Sequence, residues 1–191
     1  LPSTNLWNGI PKPLKAVEHV CGDLQLTGNV TLRTPSEGSV LVIWNGQLDM
    51  NSYTFATEDG SAITVIFAGD NGAYTHGPTG DGTLDITAPS SGPWKGVALY
   101  QAPNLTAGVD LTYKGNSPTW NITGLVYLPH SNVTFSGAVN KSSHGQSCFA
   151  LVVNTILING TGSILSKGSC GEAGLNLPTG SGTLARGQLV N

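Results

Sequence analysis

Residues 63–67 read Ile-Thr-Val-Ile-Phe, an almost wholly apolar run closed by Ala68-Gly69-Asp70. Five residues are too few for a buried helix, and four of the five are β-branched. The run therefore reads as a strand covered on both faces. Four more runs of this kind follow the same pattern: VLVIW at 40–44, VALY at 97–100, LVYL at 125–128 and FALVV at 149–153. Between them lie segments that alternate apolar and polar residues: LQLTGNVTL at 24–32, LDMNSYTF at 48–55, TLDIT at 83–87, NVTF at 132–135 and TILI at 155–158. Alternation marks strands with one wet face. Clusters of Gly, Asn, Ser and Pro punctuate the runs, as turns require.

The apolar runs begin at 40, 63, 97, 125 and 149, so the pattern advances by 23, 34, 28 and 24 residues. A step that stays in the twenties with one insertion is the mark of a solenoid, in which each coil buries its apolar face only against its neighbours. The expected fold is all-β, a right-handed parallel β-helix of about five to six irregular coils stacked at the ~4.8 Å strand spacing. The longest step contains the Gly-rich stretch 69–82, expected to bulge from one coil. Residues 21–191 form the expected solenoid domain, and residues 1–20 an N-terminal extension or cap. That cap holds the one helix candidate, PLKAVEHV at 13–20, where Leu14 and Val17 share a face. The alternative is an antiparallel β-sandwich, but Asn-Gly hairpin signals are few, chiefly at Asn45-Gly46 and Asn159-Gly160.

Composition narrows the function classes. Of 191 residues only 10% are charged and the formal net charge is −3, so clustered Lys/Arg for a nucleic-acid partner is missing. The longest apolar runs are five residues, far short of the ~18 of a membrane helix. The chain begins at Leu1 without a basic or apolar leader. It reads as a processed protein or an excised domain, with membrane attachment only through an anchor upstream. Three cysteines occur, none in a metal-ligand spacing. Cys148 and Cys170 lie nearly one coil apart, so they would face each other on neighbouring coils and staple the C-terminal end, a disulfide worth roughly 3 kcal/mol; two buried thiols are the alternative. Cys21 is left as a buried thiol or one with a partner outside the chain. Low charge, abundant Thr/Asn/Gly and a disulfide indicate export, to the extracellular space or cell surface, with the periplasm as the remaining option.

Several stretches, read in order, resemble the C-terminal exported region of the Tad/Flp pilus-assembly TadG-like proteins of bacteria. They are CGDLQLTGN at 21–29, AITVIFAG at 62–69, APSSGPWKGVALYQ at 88–101, ITGLVYLPHSNVTFSG at 122–137, the segment from Cys148 to Cys170, and ARGQLV at 185–190. The acidic–basic pair expected after Gln101 is replaced by Ala102-Pro103. The resemblance implies a cell-envelope or secreted structural protein linked to adhesive pili, whose partners are pilus or cell-envelope proteins or further copies of itself.

Candidate sites are sparse. Glycoside cleavage needs two carboxylates roughly 5–9 Å apart, and Asp49 and Asp85, on similar alternating strands, are the best pair. The bland reading of both is a solvated outer face. Asp70, Asn71 and Asp81 flank the Gly-rich loop as weak Ca²⁺ candidates, at a spacing that fits no known calcium loop. His19, His76, His130 and His144 form no motif, and nucleophile-elbow and phosphate-loop signatures are absent. Among the aromatics, Trp44 and Tyr127 are expected in the core. Trp94 and Trp120 follow turn residues and are the expected exposed, ligand-binding pair. The expected protein has no cofactor and no catalytic residue: a non-enzymatic exported structural or adhesive module, able to assemble end to end. The alternatives are a carbohydrate-binding adhesin for surface glycans and a polysaccharide-active β-helix enzyme.

Overall fold

A computed structural model describes residues 3–105, 110–113, 119–136 and 148–159. These form thirteen strands and no helix: β1 (Asn5–Pro13), β2 (Val17–Cys21), β3 (Leu24–Arg33), β4 (Ser39–Trp44), β5 (Leu48–Asp49), β6 (Thr54–Thr57), β7 (Ile63–Ala68), β8 (Pro78–Thr79), β9 (Thr83–Thr87), β10 (Val97–Gln101), β11 (Asp110–Tyr113), β12 (Thr119–Ser136) and β13 (Phe149–Asn159). Every pairing among them is parallel. The fold is a parallel β-solenoid, and the antiparallel sandwich is excluded.

Three faces run along the stack. On one, β2, β4, β7, β10, the middle of β12 and the first half of β13 lie side by side. Each partner advances the chain by one coil: Val17 to Val40, Val40 to Thr64, Val65 to Leu99, Leu99 to Val126 and Val126 to Leu151. These are the apolar runs whose period the sequence displays. A second face stacks the end of β3 with β6, β9 and the start of β12. The start of β3 with β5 and β8 makes the third, continued where β11 and the second half of β13 flank the end of β12.

Stacking in register lines the interior with ladders of like residues. Val30 sits beside Phe55, Phe55 beside Leu84 and Leu84 beside Trp120; Leu41, Val65, Leu99 and Val126 form a second such file. All eight are buried, each contributing roughly 1.5–3 kcal/mol of burial. Between strands, glycine admits the tightest corner. A β-carbon on Gly46 would fall onto the carbonyl group of Gly22 one coil below, so no larger residue fits there.

The N-terminal segment differs from expectation. Residues 5–21 are the first coil of the same stack: β1 pairs with β3 and β2 with β4. The segment 13–20, read as a helix candidate, instead runs into strand β2. Its one turn of apolar spacing cannot nucleate a helix alone, whereas a strand at 17–21 pairs with all of Val40–Trp44. This coil also closes the core. Trp7 packs on the apolar interior, and the ammonium of Lys12 lies 4.5 Å above the Trp7 ring, a cation–π contact. Among the described residues β1 pairs with nothing beyond β3, so it is an edge. Its Leu14 N–H turns inward to the Arg33 carbonyl at 2.8 Å. By alternation the nitrogen of Pro13 lies on the outward side, where proline offers no donor; the register shift between Gly9 and Lys12 interrupts the alternation at Pro11.

The 34-residue step arises from two corner loops, 69–77 and 88–96, while residues 78–79 of the Gly-rich stretch rejoin the stack as β8 and the chain continues into β9.

Candidate functional site

Strand parity decides which side chains reach solvent. Tyr100 pairs with Ile66 below and Tyr127 above, while Leu99 and Val126 take the interior positions beside them. Tyr100 and Tyr127 therefore point outward together, their rings stacked with centroids 5.4 Å apart and planes 18° from parallel. Trp94, on the loop 88–96, meets Tyr100 edge-on at 5.1 Å. Gly96 N–H donates to Pro89 O at 2.7 Å and Val97 N–H to Trp94 O at 3.0 Å, fixing the loop that carries the indole. A cleft of about 160 Å³ opens at Trp94, walled by Val40, Pro89 and Pro93 and rimmed by Glu37 and Ser91.

Of the two tryptophans expected to be exposed, Trp94 is half-buried at this cleft. Trp120 is 2% exposed and belongs to the core; its parity follows Leu84, so the turn-type residues that precede it in the sequence do not decide its side. Tyr127 is not a core residue but part of the outer stack, and Trp44, also expected inside, is 41% exposed. Trp44 shares the parity of Cys21 and Ala68, leaving Leu41 and Ile43 to face inward. Cys21 is an exposed free thiol, not a buried one. Cys148 is buried at the start of β13, and Cys170 lies outside the described residues.

The carboxylates serve the corners. Asp49 accepts from Gln25 Nε2 at 3.0 Å and from the Asn51 N–H at 2.9 Å. Asp23 accepts from the N–H and Nε2 of Gln47, whose Oε1 accepts from Thr79 Oγ1 at 2.8 Å. Asp49 stacks between Gln25 and Thr79 on one face, Asp85 between Ala56 and Asn121 on another. The structure does not bring the proposed carboxylate pair together. Asp70 accepts from Asn45 Nδ2, Asn71 Oδ1 accepts from the Ala73 N–H at 2.9 Å, and Asp81 is exposed. Among the described residues no three His, Cys, Asp or Glu side chains converge as metal ligands.

His76 is the group that sequence reading passed over. It is completely buried in loop 69–77, and apart from the Tyr74 backbone nothing approaches its ring nitrogens as a hydrogen-bond partner. A β-carbon on Gly69 would approach its Nε2 to 2.9 Å. Burial lowers its pKa below the usual 6.5, against a weaker upward pull from the Tyr74 backbone. Arg33 pairs with Glu58, which raises the guanidinium pKa.

No protein-family model, curated protein or solved structure matches the chain.

Proposed function

We propose that the chain is a non-enzymatic, exported structural or adhesive module of the bacterial cell surface, acting with the Tad/Flp pilus machinery as a TadG-like protein. One observation carries the reading: polar side chains, several of its carboxylates among them, tie successive coils together. Gln25–Asp49, Asp23–Gln47–Thr79 and Asn45–Asp70 are ties between coils of a charge-poor rod. Three of the stretches that carry the resemblance are the rod's own parts: 62–69 contains β7, 88–101 a loop and β10, and 122–137 most of β12. A Cys148–Cys170 disulfide belongs to the same reading. Head-to-tail stacking through β1 does not, because that strand carries Pro11 and Pro13.

The test is deletion of this region from the native gene, followed by electron microscopy of pili and protease accessibility of the region on intact cells. Loss of pili with an accessible region supports the proposal. Normal pili, or a region found only in the cytoplasm, overturns it. Thiol titration of the exported, denatured protein should find one free thiol, Cys21, rather than three.

A further inference from the structure

We propose that the cleft at Trp94 binds one neutral sugar ring at the end of a glycan. This deepens the adhesive half of the reading above, yet it stands on separate observations. The first is a preset aromatic wall. Trp94 is held by the turn 89–97 and by its edge contact with Tyr100, which is backed in turn by Tyr127. A sugar ring presents a face of C–H groups that packs on such a wall and a rim of hydroxyls that needs partners.

The second is the polar rim. Glu37 stands exposed on the turn closed by Gly38 N–H to Pro35 O at 2.8 Å, and Ser91 stands exposed across the cleft. The carboxylate is an acceptor for paired hydroxyls, and Ser91 both donates and accepts. Ser39, also in the wall, is not available, since its hydroxyl is buried and donates to the Lys15 carbonyl at 2.7 Å.

The third is size and charge. At about 160 Å³ the cleft is smaller than the roughly 300–1,000 Å³ that encloses a drug-sized ligand, so it admits one ring rather than a chain. No Lys or Arg lines it, and Glu37 repels anions. Neutral hexoses and N-acetylhexosamines fit; uronic and sialic acids do not.

The experiment is saturation-transfer NMR and tryptophan-fluorescence titration of the whole chain with chitotriose, cellotriose, mannotriose and trigalacturonic acid. Binding of at least one neutral trisaccharide, with no response to trigalacturonic acid, is expected. Trp94→Ala should weaken that binding at least tenfold, Trp94→Phe less, and Glu37→Gln several-fold. Trp44→Ala, on the same face outside the cleft, should leave it unchanged. Circular dichroism confirms that each variant is folded. Binding indifferent to Trp94→Ala, preference for the acidic sugar, capture of a proline-rich peptide in its place, or no binding of any of these sugars overturns the site. None of these outcomes touches the pilus-deletion test, so the two readings fail separately.

Discussion

Asn45 donates from Nδ2 to Asp70 Oδ1 at 2.7 Å, while its own Oδ1 accepts the backbone N–H groups of Asp70 at 3.1 Å and Asn71 at 3.3 Å. One side chain thus ties its corner to the corner one coil above. It does so from the left-handed region, at φ 52°, where asparagine is tolerated better than most residues. Asn45→Gly keeps the backbone but removes the tie, costing about 1–2 kcal/mol. Asn45→Ala adds the strain of a left-handed alanine, a further ~1 kcal/mol. Urea unfolding of the two variants should rank them in that order; equal stabilities would mean that the corner is held by something else.

Stability should fall in mild acid because of His76. Its folded-state pKa lies below 6.5, and the unfolded chain restores the ordinary value. Below pH 6.5 the unfolded state therefore binds more protons than the folded state. The stability contribution is complete above 6.5 and is lost as pH drops from there toward the folded pKa. His76→Gln should flatten this part of the profile. Chemical unfolding midpoints measured between neutrality and mildly acidic pH, above the range where carboxylates titrate, provide the check.

Inner and outer aromatics should behave oppositely. Phe55 lies between Val30 and Leu84 with no exposure, so Phe55→Ala opens a cavity and costs about 3–5 kcal/mol. Trp44→Ala removes an outward ring and should fall within about 0.5 kcal/mol of the parent. Thermal or urea melts distinguish the two; comparable losses would contradict the assigned parity.

That parity marks the limit of what the sequence displays. The coil period was legible because a parallel stack repeats its buried strand, and the runs at 40–44, 63–67, 97–100, 125–128 and 149–153 do lie side by side. A continuous apolar run, however, does not say which residues face inward. In VLVIW the interior takes Leu41 and Ile43 and leaves Trp44 outside, whereas Trp120, which follows turn-type residues in the sequence, faces inward in register with Leu84. Aligning VALY on LVYL residue by residue sets Tyr100 against Leu128; the register shift between Val97 and Leu99 is what brings Tyr100 beside Tyr127, so the sequence did not display the stack. The first coil was hidden because Gly9, Pro11 and Pro13 break the strand pattern of β1. His76 carried no motif, and only the enclosing loop makes it distinctive.

The same prolines support a last prediction, on self-association. A strand edge with free N–H groups recruits further strands, and proline or charge on it prevents this. On β1 the inward hydrogen bond of Leu14 fixes the alternation back to Lys12, so Pro13 removes a donor that would otherwise face outward, and Pro11, beyond the register shift, has no donor to offer on either side. Between them Lys12 is drawn over Trp7 and holds a positive charge at the end of the stack. Pro11→Val with Pro13→Val restores an N–H at each position, the one at 13 facing outward, and raises the β propensity of the strand. The double variant should associate with rising concentration in light scattering, while the parent does not associate through this edge. Adding Lys12→Val should strengthen the effect by removing the charge. A folded double variant that scatters like the parent at every concentration would show that the prolines are not what keeps this end of the solenoid unpaired.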